Sequence, residues 1–349
     1  MILQQSKSKE WIMKVREMTP QRDPILIEKM IMALILVESL SINGLDFIFK
    51  GGTSLVLLLG DLQRFSIDID IVISDEQNIS ACFKKIIGSG LFHRYEENIR
   101  KSDIPKKHYK FFYNSEIENK ESYILLDILL EENLYSRLTQ VEVSLPILAL
   151  GGEKTFLTCP SIACLLGDKL TAFAPNTTGI PYGSGKQLEI IKQLIDIALL
   201  FDVVDELDLV HKTHSAIAGK ELTYRGMTVL SQNDVLQDTV NTGLIISLRG
   251  HPDKSDEFSE LLDGIKRVGG FLYSGNFTID KAILYASKAT ILAAYLIKEE
   301  KRIKKLGSRT AISELLIQNQ SYQKINKLKK TNPEAFYYYY HALEKLDLT

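Results

Sequence analysis

Asp68 and Asp70 are two residues apart in the segment RFSIDIDIVI. The alternation over residues 66–73 predicts a strand, on which side chains two apart project from the same face. Two carboxylates on one face, flanked by isoleucines, repel each other and are costly without a counter-charge. Hard cations such as Mg²⁺ take oxygen ligands of this kind. The pair therefore predicts a metal site; the alternative is an exposed edge strand with ordinary polar alternation.

A third acid, Asp127, lies in the middle of the apolar run YILLDILL, which predicts a second buried strand. If this strand neighbours the first, Asp68, Asp70 and Asp127 together could hold two metal ions. Such ions activate an attacking oxygen and stabilise a leaving one. The alternative for Asp127 is a buried acid paired with a lysine or arginine.

A glycine turn precedes the aspartates. Gly51 and Gly52 follow a short predicted strand and lead into a helix predicted to begin near Thr53. Glycines permit close backbone approach, and the amides of Thr53 and Ser54 would point outward from the helix start. We therefore expect this turn to hold the terminal phosphates of a nucleotide, which the metal ions would bridge.

The elements that must position these residues alternate between strands and helices up to about Asp205, after which strand patterns almost vanish. Asp23 and Pro24 supply a helix N-cap and first turn. Further strands are predicted over residues 108–113, 123–130 and 141–145. We predict an α/β (α+β) fold with a mixed-sheet core and flanking helices, divided into N-terminal helices 1–45, core 46–205 and a helical C-terminal domain 206–349.

Composition sets wider bounds. A length of 349 residues favours more than one domain, and 42 basic against 44 acidic residues give a net charge that indicates nothing about nucleic acid. The three cysteines, Cys82, Cys159 and Cys164, form no C-x-x-C pair, which favours a reducing cytosol. Charged residues interrupt the apolar runs, and the N-terminus lacks the apolar stretch of a signal peptide. We expect a cytoplasmic protein with no membrane partner.

Five segments occur in order: KGGTSL, RFSIDID, the isolated acid Asp127, GDKLTAF and KQLIDIALL. As a set they resemble the AbiEii/AbiGii-type nucleotidyltransferase toxins of abortive-infection and toxin–antitoxin systems. The resemblance implies a nucleotidyltransferase-like core, Mg²⁺, and transfer of a nucleoside monophosphate from an NTP to an acceptor hydroxyl with release of pyrophosphate. It also implies an RNA acceptor, such as tRNA, and a cognate antitoxin protein.

The resemblance also implies roles in the first motifs. Asp68 and Asp70 match the metal-binding pair, and the turn at 51–54 matches the phosphate-holding element. Ser66 matches a motif serine, which implies a phosphate contact or an acceptor in self-modification. The family often has an acid where Ile67 stands here.

Later motifs supply further residues. Lys169 in GDKL matches the third motif, and as a point charge it suits a triphosphate. Lys192 and Asp196 match the fourth, where the lysine would contact the nucleotide and the acid would orient the acceptor or assist its deprotonation. The family often has arginines at Lys186 and Lys192. The alternatives are a lysine on a solvated helix face for Lys169 and a helical ion pair with Lys192 for Asp196.

Other features leave the function open. Residues 298–330 contain ten Lys/Arg and three Glu, which fits either an RNA-binding surface or a solvated helix face. The tyrosine run 337–340 is expected to pack a terminal helix. His211 and His214 have helical metal-pair spacing without supporting ligands. The alternative functions are a phosphotransferase acting on a protein or on itself, and a non-catalytic binding module with this fold.

Overall fold

The computed structural model describes residues 1–19, 22–76, 78–99, 104–307 and 312–349. It divides into two compact units, Met1–Ser161 with Gly270–Gly275, and Ile162–Gly269 with Asn276–Thr349. The predicted α/β fold with a mixed sheet is confirmed. Residues 162–205 belong to the second unit, whereas the sequence-based division placed them with the strands of the core.

The first unit contains every strand of the described chain and four α-helices. The helices are α1 (Lys9–Met18), α2 (Pro24–Ile42), α3 (Gly51–Leu59) and α4 (Ile79–Gly88). The strands are β1 (Ile48–Lys50), β2 (Ile69–Ile73), β3 (Arg94–Glu97), β4 (Lys106–Asn114), β5 (Glu121–Leu130), β6 (Leu138–Glu142) and β7 (Phe156–Pro160). The first five form one sheet in the order β1-β2-β5-β4-β3, and β6 and β7 form a separate antiparallel pair. Within the sheet, β2 and β5 are parallel and the other neighbours are antiparallel.

Helix α2 covers one face of this sheet. Its start is the predicted one, because the Asp23 side chain accepts a hydrogen bond from the Ile25 N–H and Pro24 lies in the first turn. Thirteen of its 19 residues are buried, and the apolar ones among them share one hydrophobic core with β2 and β5. The apolar sequence of the helix thus fixes which side of each strand faces inward.

The inward residues of β2 and β5 set the direction of the acids between them. Ile69 and Ile71 of β2 and Ile128 of β5 are at most 1% exposed and belong to this core. Because side chains alternate along a strand, Asp70 and Asp127 project from the opposite face. Both acids are half-buried.

The second unit is helical. Its α-helices are α5 (Ile162–Ala172), α6 (Gln187–Val203), α7 (Leu207–Tyr224), α8 (Gln232–Leu248), α9 (Ser255–Arg267), α10 (Ile279–Ile297), α11 (Leu328–Thr331) and α12 (Pro333–Lys345). Tyr337, Tyr338 and Tyr339 on α12 are at most 3% exposed, and the Tyr339 hydroxyl donates to the carbonyl of Gly243 over 2.8 Å. The tyrosine run therefore packs the terminal helix, as expected. No helix among the described residues has the length and apolar character needed to cross a bilayer.

Helices α5 and α7 approach each other closely at Gly167, the glycine of the GDKL segment. A Cβ at this position would lie 2.6 Å from the Val210 carbonyl oxygen and 2.9 Å from the His214 backbone nitrogen. His214 is fully buried there, and neither ring nitrogen has a hydrogen-bond partner among the described residues. Burial lowers the pKa of its imidazole to about 3, so the ring is neutral in the fold.

We expect His214 to make the protein acid-sensitive. The folded pKa lies below the ordinary value of 6.5, so the unfolded chain binds the proton first and stability falls as pH drops below 6.5 towards 3. At pH 5 this costs about 2 kcal/mol of the free energy of unfolding. Urea unfolding at pH 7.5 and pH 5 measures this loss.

The His214→Leu variant should lack this part of the acid-induced loss. The His211→Gln variant, altered at a partly exposed position on the same helix, should retain it. A His214→Leu protein that loses as much stability between the two pH values as the wild type would contradict the prediction.

Candidate active site

A row of polar residues crosses four adjacent strands of the sheet. Lys50 pairs with Asp70, Asp70 with Asp127, and Asp127 with His108. Residues directly opposite each other on neighbouring strands project from the same face. The two acids that the sequence placed on separate strands therefore lie side by side, on the face opposite the α2 core.

Asp68 lies just outside this row. The strand was predicted to begin at residue 66, but β2 begins at Ile69. On one side β1 ends at Lys50, opposite Asp70, and on the other the pairing with β5 starts at Ile69. Asp68 is consequently in the extended segment before the strand, and it is exposed. The Thr53 hydroxyl donates a hydrogen bond to its backbone carbonyl over 2.7 Å, which ties this segment to α3.

The glycine turn lies directly against the acids. Helix α3 begins at Gly51, two residues before the predicted start, and Gly51 has φ of +83°. A Cβ on Gly51 would lie 2.2 Å from Oδ2 of Asp70, and one on Gly52 would lie 2.8 Å from Oγ of Ser66. The two glycines thus bring the helix start, Asp70 and Ser66 together.

The hydroxyls in this turn have internal roles. Thr53 and Ser54 are fully buried, and Ser54 Oγ donates to the Gly51 carbonyl over 3.0 Å. No side chain caps the N-terminus of α3. Its backbone amides and the positive end of its dipole favour negative charge there, including that of Asp70.

Arg64 was missed as a part of this site. It is 3% exposed, Nη1 donates to the Phe65 carbonyl over 3.1 Å, and a Cβ on Gly52 would lie 2.4 Å from Nη2. The guanidinium therefore packs on the glycine turn. The sequence feature that could have identified it is its place two residues before Ser66, but no role was predicted for Arg64 from the sequence.

The segment that contains Arg64 is held by a distant part of the chain. The Phe65 N–H donates to the carbonyl of Phe271 over 2.7 Å, and the Tyr273 N–H donates to the carbonyl of Gln63 over 2.9 Å. Residues 270–275 are for this reason part of the first unit. Arg64 and Leu272 form an isolated antiparallel β-bridge at this point.

His108 was also missed. Its Nδ1 lies 2.7 Å from Oδ1 of Asp127, and the two side chains are 10% and 31% exposed. The partner of Asp127 is thus a histidine, not the lysine or arginine of the alternative interpretation. The signal was a single histidine in the predicted strand KKHYKFFY, but the pairing required the register of β4 against β5.

The residues of the later motifs meet within the second unit. Lys169 Nζ lies 2.8 Å from Oδ2 of Asp196, a pair that is 8% and 0% exposed, and 3.0 Å from Oε1 of Gln193. Lys192 Nζ lies 2.9 Å from Oε1 of Glu189. Lys169 is therefore not a lysine on a solvated helix face, and two motifs read separately in the sequence form one buried ion pair.

The acids beside the glycine turn suit a metal ion that is bound only in part by protein. Across the described residues, no group of three or more His, Cys, Asp or Glu is arranged to hold a metal ion on its own. Mg²⁺ commonly binds one or two carboxylates and completes its shell with water and substrate phosphates. Asp68 and Asp70 next to an uncapped helix N-terminus fit an ion that arrives with a nucleotide.

Comparisons with solved structures give two proteins from Helicobacter pylori. JHP933 has 14% sequence identity and a TM-score of 0.46, covering 76% of this chain and 91% of its own. A protein described as a candidate nucleotidyltransferase has 16% identity and a TM-score of 0.43, covering 77% of this chain and 96% of its own. No curated protein matches the chain.

A comparison with protein families gives a match over more than half of the chain. The family is described as nucleotidyl transferase AbiEii toxin of type IV toxin–antitoxin systems, and the match covers residues 34–260. This range contains the glycine turn, the acids on β2 and β5, and the Lys169–Asp196 pair. The chain belongs to the AbiEii family of nucleotidyl transferase toxins.

Proposed function

We propose that the protein transfers a nucleoside monophosphate from an NTP to an acceptor hydroxyl and releases pyrophosphate. The observation that carries this proposal is the contact of the glycine turn with Asp70 and Ser66, in a chain of a nucleotidyl transferase family. The proposed acceptor is RNA, with tRNA as the first class to test, and the proposed protein partner is the cognate antitoxin of the toxin–antitoxin pair.

Asp68, Asp70 and Asp127 are the residues proposed to hold Mg²⁺, with two ions as the expected number. When bound, Mg²⁺ neutralises phosphate charge and makes the attacking oxygen a better nucleophile. Asp70 lies beside the turn, so its carboxylate and the turn would meet the same triphosphate. The backbone amides of the turn and the Ser66 hydroxyl would bind phosphate oxygens.

Lys169 and Lys192 are proposed to contact the nucleotide. Asp196 and Gln193 hold Lys169 in one orientation, which reduces the entropy lost when its ammonium meets a phosphate. Asp196 is fully buried, which favours the positioning of Lys169 as its role over contact with the acceptor.

The basic stretch 298–330 is a candidate contact for the RNA backbone. Some of its charges already have partners: Lys298 pairs with Asp347 over 3.1 Å, and Lys305 donates to the Asp202 carbonyl over 2.9 Å. Arg309 lies outside the described residues. The three cysteines are buried and none of them is in a disulfide, which fits the proposed action in the reducing cytoplasm, where NTP is available.

The first test replaces Asp70 by asparagine, which keeps the shape and removes the charge. We expect transfer of label from α-labelled NTP to RNA to fall at least about 100-fold, as when one group that stabilises transition-state charge is lost. Each NTP is tested with total RNA and Mg²⁺. Glu142→Gln is the control, because its ion pair with Lys154 is at the surface.

Two outcomes would overturn the proposal. Label from γ-labelled ATP, with none from α-labelled NTP, would identify a phosphotransferase. No transfer of either label by the wild type would identify a binding module.

The second test separates the backbone of the turn from its contact with Asp70. Gly51→Ala and Gly60→Ala both place alanine at positive φ, +83° and +64°, which alone should cost each about 1–2 kcal/mol of stability, and the clash with Asp70 should add to the cost at Gly51. At Gly60 nothing lies within 4 Å of the added Cβ, whereas at Gly51 it meets Asp70. Only Gly51→Ala should lose transfer activity at a temperature where both are folded. Equal activity of the two variants would contradict the proposed site.

The third test concerns the Lys169–Asp196 pair. Lys169→Met leaves the buried Asp196 carboxylate without this partner and should cost about 3 kcal/mol of unfolding free energy. The double variant Lys169→Met/Asp196→Leu should regain most of that stability, because an apolar pair can replace a buried ion pair, yet remain inactive. Denaturant unfolding and the labelling assay give the two readouts. An active double variant would show that the pair is structural only.

A further inference from the structure

We propose that His108 is a positioning residue that acts through Asp127. The observation is the 2.7 Å contact between Nδ1 of His108 and Oδ1 of Asp127, made by residues directly opposite each other on β4 and β5. The inference rests on the proposed function, because it assigns His108 a task in the same reaction.

The contact has a defined direction. An ionised carboxylate only accepts hydrogen bonds, so with Asp127 ionised the proposed donor is the N–H at Nδ1 of His108. The ring has little freedom to turn away, because His108 is 8% exposed and its own carbonyl accepts a hydrogen bond from the Asn98 N–H over 2.7 Å. The backbone of β4 is hydrogen-bonded along both of its edges, to β3 and to β5.

The contact engages only one of the two oxygens of the Asp127 carboxylate. Oδ1 is held by the imidazole, while Oδ2 has no hydrogen-bond partner among the described residues. Asp127 is also adjacent to Asp70 in register. Oδ2 is consequently the oxygen available to a cation or to the acceptor hydroxyl, and the histidine fixes where it points.

This arrangement reduces the reorganisation that the reaction needs. A carboxylate that is free to rotate must be ordered at each turnover, whereas one held by a buried donor is already oriented. Loss of the donor should therefore slow the chemical step more than it weakens NTP binding, since phosphate contacts of the glycine turn do not involve His108.

The test compares His108→Ala with His108→Asn in the RNA-labelling assay. The Asn side-chain amide places an N–H donor near the position of Nδ1, whereas Ala has no donor. We expect Ala to lower kcat by about 10- to 100-fold with little change in KM for NTP, and Asn to recover most of the loss. Asn114→Ala, at the exposed end of the same strand, is the matched control.

A double-mutant cycle separates positioning from independent action. If His108 acts only through Asp127, then His108→Ala should cost nothing further in an Asp127→Ala background. If the fold losses in kcat of the two single variants multiply in the double variant, the inference is overturned. A His108→Ala enzyme with wild-type kcat would also overturn it. Melting temperatures of all variants show whether a loss reflects unfolding.

NMR of protein labelled with ¹⁵N at its histidines provides a measurement that does not depend on catalytic activity. The wild type should show a signal for a hydrogen on Nδ1 of His108, which is assigned by its loss in His108→Asn. The same signal should shift in Asp127→Ala. A His108 signal unaffected by Asp127→Ala would overturn the inference. Absence of transfer by the wild-type enzyme would overturn the proposed function and the inference together; an active wild type with an unimpaired His108→Ala would overturn the inference alone.

Discussion

The missing side chain at Gly51 is the constraint on which the rest of the site depends. Oδ2 of Asp70 occupies the space that a Cβ would need, and the positive φ of Gly51 turns β1 directly into α3. The lack of a side chain at Gly51 thereby sets the position of Asp70 relative to the strand pair and the start of α3. A single glycine thereby brings the proposed phosphate-binding turn against the carboxylate that is proposed to hold Mg²⁺.

The buried pair of Lys169 and Asp196 imposes a second constraint. Removing two charges from water costs several kcal/mol per ion, and their attraction offsets this only with good geometry and further hydrogen bonds. The 2.8 Å contact and the Gln193 bond supply that geometry. Such pairs are weak evidence for stability. The proposed contact of Lys169 with the nucleotide would give this pair a role that stability does not supply.

Prediction from sequence succeeded where the signal was local. The alternation in β2 and β5 placed Asp70 and Asp127 on strands, and the glycines marked the turn. It failed where pairing decides the outcome. β2 is shorter than its alternating sequence because β1 ends at Lys50, opposite Asp70, and the pairing with β5 starts at Ile69. His108 could not be assigned, because a one-residue shift of β4 would turn it to the other face.

The segment 270–275 has a consequence for biosynthesis. Its backbone bonds to residues 63 and 65 complete the part of the first unit that carries Arg64 and leads into Asp68. Chains emerge from the ribosome N-terminus first, and domains generally fold as units. The first unit therefore cannot complete this part of its fold until residues 270–275 have been synthesised, and a chain that ends before them lacks these bonds. Translation past residue 275 of 349 is thus a condition for an ordered approach to Asp68.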